Sequence, residues 1–92
     1  MNSSDTWRVL LRKRAQKAVA RAPRPEQERL RDAIKEMESD PFAGDVDRLK
    51  GERTAFRRRV GDWRVLFDVH REIRPVEVRS IERRTTTTYR RR

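Results

Sequence analysis

The sequence predicts an α+β fold: one small domain over residues 1–92, with an N-terminal strand, a two-helix hairpin and a three-stranded antiparallel meander in one sheet. Three observations predict it. Apolar residues between positions 12 and 40 recur at helical spacing. Between 54 and 81 they alternate at a spacing of two. Gly61-Asp62 separates two of the alternating runs, as a tight hairpin turn does.

In "TWRVLL" (6–11), Trp7, Val9 and Leu11 share one face of a first strand, with Leu10 behind. Residues 12–22 have helix-forming composition, and Ala15, Ala18, Val19 and Ala22 form the apolar stripe. Pro23 ends that helix, since it lacks the amide proton the next turn needs. Pro25 suits the first turn of a second helix, and Glu26 and Glu28 favour its positive end. Leu30, Ala33, Ile34 and Met37 line its buried side, and Asp40-Pro41 stops it. Residues 40–52 read as a loop punctuated by Gly44 and Gly51 and pinned by Phe42, Val46 and Leu49. Strands come next at 54–60, 63–70 and 76–81, and a polar tail covers 85–92. The helices are expected on one face of the sheet. The other face, or its rim, is left for arginines.

The net charge is +10, and it is uneven. Residues 26–47 are net acidic, whereas residues 53–92 hold thirteen arginines against five acids. Arginine presents a planar fork of donors that matches phosphate oxygens, so nucleic acid is the leading partner class. Acidic protein comes second and anionic membrane a distant third. No cysteine is present, and the one histidine, His70, cannot build a His-rich metal site. No apolar run exceeds three residues, such as Val9–Leu11, so neither a signal peptide nor a membrane span is expected and the chain reads as cytoplasmic.

Alternation along 54–60 sends Arg57 and Arg59 to one side and Phe56, Arg58 and Val60 to the other. Phe56 and Val60 mark the core side, with Arg58 expected near an end or edge. Arg64 opposes Trp63 just across the turn, so it joins Arg57 and Arg59 on the open face. Solvated arginines paired with Asp68, Glu72, Glu77 or Glu82 are the simpler account of any single one. For the whole set, the excess of basic over acidic groups argues for one polyanion. Trp7 and Trp63 read as core residues and His70 as an exposed turn residue. The basic run Arg12, Lys13, Arg14 and Lys17 reads equally as a grip on RNA or as a solvated helix face. The acidic second helix is expected to face solvent.

"RLKGERTAFRRRVGDWRVLFDVHREIRPVEVRSIERRTTTTY" (48–89) resembles the RelE/ParE family of small bacterial toxins. The matching series is Leu49-Lys50-Gly51, Phe56, Gly61-Asp62-Trp63-Arg64, and an arginine, Arg83 or Arg84, followed by Tyr89. The segment up to Phe42 fits the family's strand and helical hairpin more loosely. The resemblance implies a RelE-like fold and a toxin silenced by a cognate antitoxin that wraps an acidic segment around it. In the RelE branch it implies a metal-independent endoribonuclease that enters the ribosomal A site and cuts messenger RNA, with no cofactor. There the 2′-hydroxyl attacks the neighbouring phosphate. In the ParE branch the same fold inhibits gyrase without nuclease activity; a basic nucleic-acid-binding module without catalysis is a third reading. By position, the family's catalytic residues fall on Arg57, Arg59, Arg64, Arg83 and Tyr89, with Arg84 the alternative to Arg83 and a further RNA contact. Lys50, Arg12, Lys13 and Lys17 are carried as RNA-binding candidates, and Lys50 is equally well read as solvated. The best-known members have lysine where Arg57 and Arg59 stand. Arginine essentially never deprotonates, so these two hold charge rather than act as bases. Tyr89 is read as stacking on or near the base and helping to activate the 2′-hydroxyl, and Glu82, the one nearby acid, as an ion-pair partner before a base.

Overall fold

The structure is a computed structural model, and it describes residues 6–51 and 54–83. Its elements are β1 (Arg8–Leu11), α1 (Lys13–Arg21), α2 (Arg24–Ser39), β2 (Asp45–Arg48), β3 (Phe56–Val60), β4 (Trp63–Val69) and β5 (Pro75–Arg83). The expected α+β architecture is present. The expected loop 40–52, however, contains a strand: β2 pairs antiparallel with β3 and makes the sheet five-stranded, in the order β1-β5-β4-β3-β2. The reason is local. Gly44 has φ +82°, a conformation that turns the chain into Asp45-Val46-Asp47, where Val46 faces inward and the two aspartates outward.

β1 runs parallel to β5, with Arg8 opposite Pro75 and Leu11 opposite Val78. The two helices that separate β1 from the meander supply the long crossover such a pairing needs. They lie on one face. Ala15, Val19 and Ala22 of α1 and its exit, and Leu30 and Met37 of α2, meet Trp63, Val65 and Phe67 of β4 and Val76, Val78 and Ile81 of β5 in one core. The spacing of Leu30, Ala33 and Met37 is what buries one stripe of α2. The Gln27 side chain donates to the Val19 carbonyl at 2.8 Å, which ties the start of α2 to the end of α1.

An irregularity in β5 decides which of its side chains reach each face of the sheet. Leu66 faces Ser80, but Phe67 faces Val78, so Arg79 is an extra residue, a β-bulge. The bulge resets the alternation: Val76 and Val78 point inward before it, and Ile81 and Arg83 after it. Apolar residues at 76, 78 and 81, spaced two and then three, are its sequence signature.

Arg58 is not at an edge. It lies opposite Val65 in mid-sheet, is 9% exposed, and reaches α2. Its Nη2 donates to Glu36 at 2.7 Å and its Nη1 approaches the Ala33 carbonyl at 3.5 Å. The acidic helix is thus not wholly turned to solvent: Glu36 holds Arg58, and Glu26 accepts the Trp63 indole proton at 2.8 Å.

Candidate nucleic-acid interface

The face of the sheet away from the helices is a grid of charge laid out by strand register. One row crosses four strands: Asp45 on β2, Arg59 on β3, Arg64 on β4 and Glu82 on β5. The next is Asp47, Arg57, Leu66 and Ser80. Directly opposed side chains on one face stand about 5 Å apart at Cβ. The structure therefore brings Arg57, Arg59 and Arg64 together as expected.

Their environments differ in a way the sequence does not disclose. Arg57 is ion-paired to Asp47 at 2.5 Å, and Arg59 lies 3.9 Å from Asp45. Both aspartates belong to β2, the strand that replaces the expected loop. Arg64 has no such partner among the described residues, and its Nε is buried without a hydrogen bond. A half-buried guanidinium without a counter-charge is the most available anion receptor on this face.

Arg83 does not join them. Its register partner is Trp63, whose side chain is in the core. Its guanidinium lies 5.5 Å from the Trp63 ring centre and 3.6 Å from Glu26. The expectation that Arg83 shares the pocket of Arg59 and Arg64 is corrected on this point: the bulge at Arg79 turns it to the helix side. Glu82 takes the open-face position beside Arg64. Tyr89 and Arg84 lie outside the described residues.

Where β1 ends at Leu11, β5 continues, and the start of α1 stands beside it. Arg12, Lys13 and Arg14 border a concavity of about 420 Å³ whose other walls include Thr54, Leu66, Arg79, Ser80 and Glu82. Two of the three basic residues carried as RNA contacts at α1 are thus joined to the open face. The third, Lys17, lines an adjoining hollow with Arg14, Arg21, Ser80 and Glu82. The α1 N-terminus has no side-chain cap and no acid in its first turn, which leaves its positive end uncompensated. Lys50 is exposed just past β2. A different hollow, about 460 Å³, lies between the helices on the far side of the sheet from Arg57, Arg59 and Arg64, lined by Leu11, Val19, Ala20 and Ile34 together with Gln16, Arg31, Lys35 and Glu38.

A second cluster occupies the other end of the open face. Glu77 accepts from Arg12 at 2.8 Å, lies 3.0 Å from His70 Nε2 and 3.7 Å from Arg79. Asp68, its cross-strand neighbour, accepts the Ala55 amide at 2.7 Å and sits 3.5 Å from Arg79. The His70 hydrogen bond holds the Glu77 carboxyl below its ordinary range, burial opposes this, and the charges of Arg12 and Arg79 reinforce it. A lowered folded-state value means that Glu77 stabilises the fold above its unfolded pKa, and that this contribution is lost as pH falls through the folded value. Glu77→Gln is expected to lower the melting temperature at pH 7 and to flatten its decline between about pH 5 and 3. Thermal melts of the two proteins across that range check it; parallel curves would remove Glu77 from the acid response.

The fold is that of the RelE/ParE-like toxins. A RelE–RelB complex from the archaeon Pyrococcus horikoshii superposes with a TM-score of 0.77 over 88% of this chain and 98% of that one, at 26% identity. The toxin–antitoxin complex RelBE2 from Mycobacterium tuberculosis gives 0.74 over 86% and 99%, at 17% identity. The YoeB/ParE toxin from Agrobacterium tumefaciens gives 0.70 over 85% and 99%, at 21% identity. No protein-family model matches the chain, and no curated protein does. Among the described residues no helix is long and apolar enough to cross a membrane.

Proposed function

We propose that the chain is the toxin of a toxin–antitoxin pair and acts in the cytoplasm as a ribosome-dependent endoribonuclease on messenger RNA. The single observation that carries this reading is the row of Arg59 and Arg64, with Arg57 one step away, on a sheet face joined by a concavity to the basic start of α1. The RelE-like fold supports the toxin class, and similar structures that contain RelB alongside RelE support an antitoxin as partner. An acidic antitoxin segment complements the same face that takes RNA.

In this reading Arg64 receives the scissile phosphate, and Arg57 and Arg59 take up the charge that grows on it, exchanging Asp47 and Asp45 for phosphate oxygens. Charge-assisted hydrogen bonds from fixed donors act most strongly where negative charge develops in the transition state. The 2′-hydroxyl oxygen bonds to phosphorus, the bond to the 5′-oxygen breaks, and a cyclic phosphate and a 5′-hydroxyl remain. The arginines supply electrostatic stabilisation, and none of them moves the proton. Tyr89 stacks on the neighbouring base, and Arg12, Lys13 and Lys17 hold RNA along the rim, with Lys50 and Arg84 as outer contacts.

In vitro translation followed by primer extension on the message tests it. Breaks within codons at the A site are the expected result. Intact message together with arrested gyrase supercoiling would instead support the ParE-like reading. That reading is favoured by the internal pairing of Arg57 and Arg59 and by the diversion of Arg83.

A further inference from the structure

The proposed reaction needs a group that accepts the 2′-hydroxyl proton, and the arginines cannot be that group. We propose that Glu82 is the general base. The inference rests on the endoribonuclease reading above. Glu82 is the carboxylate placed directly across from Arg64 on β5, the inner strand on the other side of β4 from Arg59. A phosphate held between Arg59 and Arg64 therefore has Glu82 as its neighbour in the same row.

Three further observations single it out. The bulge at Arg79 is what turns Glu82 outward: uninterrupted alternation from Val76 and Val78 would bury it against the helices. Unlike the other acids of this face, it makes no ion pair among the described residues. Asp45 and Asp47 are held by Arg59 and Arg57, and Asp68 and Glu77 by Arg79 and Arg12. Glu82 also lines both hollows beside α1, so its carboxylate borders the space through which a strand would leave Arg64.

In the chemical step Glu82 takes the proton from the 2′-hydroxyl as that oxygen bonds to phosphorus. The electron pair of the breaking bond goes to the 5′-oxygen, which takes a proton from water. Glu82 then returns its proton to solvent. Arg64, which cannot accept the proton, fixes the phosphate close enough for the carboxylate to do so.

Single-turnover cleavage on programmed ribosomes tests this with Glu82→Gln, Glu82→Ala and Arg64→Ala. Removal of a general base lowers the chemical step by roughly 10²–10⁴-fold, so Glu82→Gln is expected to cut the maximal rate by that factor while half-saturation stays within about threefold. Added formate or acetate is expected to restore part of the Glu82→Ala rate, and the more basic carboxylate to restore more. A group that only pairs with Arg64 gives neither the rate-specific loss nor the rescue. A rate for Glu82→Gln near that of the unaltered protein, or a loss confined to half-saturation, overturns the proposal. If the unaltered protein does not cut at all, the nuclease reading itself fails. If Arg64→Ala is inactive and Glu82→Gln is not, only the assignment of the base fails.

Discussion

Arg64→Ala is expected to reduce cleavage of ribosome-bound message by two to three orders of magnitude and to leave the fold intact. The size comes from removing one fixed donor to a developing negative charge, which costs about 10²–10³ in rate. The selectivity comes from position. Arg64 is half-buried on the open face, its Nε has no hydrogen-bond partner, and no acid among the described residues depends on it. Truncation relieves an unpartnered buried polar atom, so the melting temperature is expected to hold or rise slightly. Arg57 and Arg59 give smaller effects in the same assay, because each must first leave an aspartate. Primer extension and a thermal melt on the same preparation check both halves. Cleavage within a few-fold of normal would take Arg64 out of the site.

Gly44→Ala is expected to be the most damaging single change to stability away from the core. Gly44 has φ +82°, and an added methyl would stand 2.8 Å from Cζ of Arg58. Left-handed backbone at a residue with a side chain costs about 1–2 kcal/mol. The clash adds to this, because Arg58 cannot retreat without leaving Glu36 and the Ala33 carbonyl, and a displaced, buried guanidinium is costly. Together they come to roughly 2–4 kcal/mol, out of a total of about 5–14 kcal/mol for a chain of this length. At about 4–8 °C per kcal/mol for a domain of this size, the melting temperature falls by roughly 8–32 °C. β2 is the element expected to loosen first, since Gly44 leads into it. A drop of less than a few degrees would show that Arg58 is not braced there.

Much of this is legible in the residues. Both helices announce themselves through stripe spacing and through Pro23 and Pro25. The β3–β4 hairpin is readable from Gly61-Asp62, where a positive φ at the first turn residue suits the two-residue connection. Register then sets the grouping of Arg57, Arg59 and Arg64. What escapes has physical reasons. β2 is a four-residue edge strand with a single apolar residue, so its alternation is carried by charge rather than by hydrophobicity. Arg58 is expected on the core side and lies there, but its partner Glu36 is twenty-two residues away, and no local pattern shows such a pairing. The bulge at Arg79 shifts everything after it by one position. That moves Arg83 from the expected pocket to the Trp63 ring and puts Glu82 in its place.

The parallel pairing of β1 with β5 has a consequence for biosynthesis. Residues 8–11 cannot find their sheet partner until residues 75–78 exist, and β5 also supplies a flank of β4 and the position of Glu82. Long-range pairings of this kind close late. A nascent chain that has exposed only its helices and the β3–β4 hairpin therefore carries Arg57, Arg59 and Arg64 but not Glu82 beside them. On the nuclease reading, the ribosome that makes the protein is spared until β5 has cleared its exit tunnel.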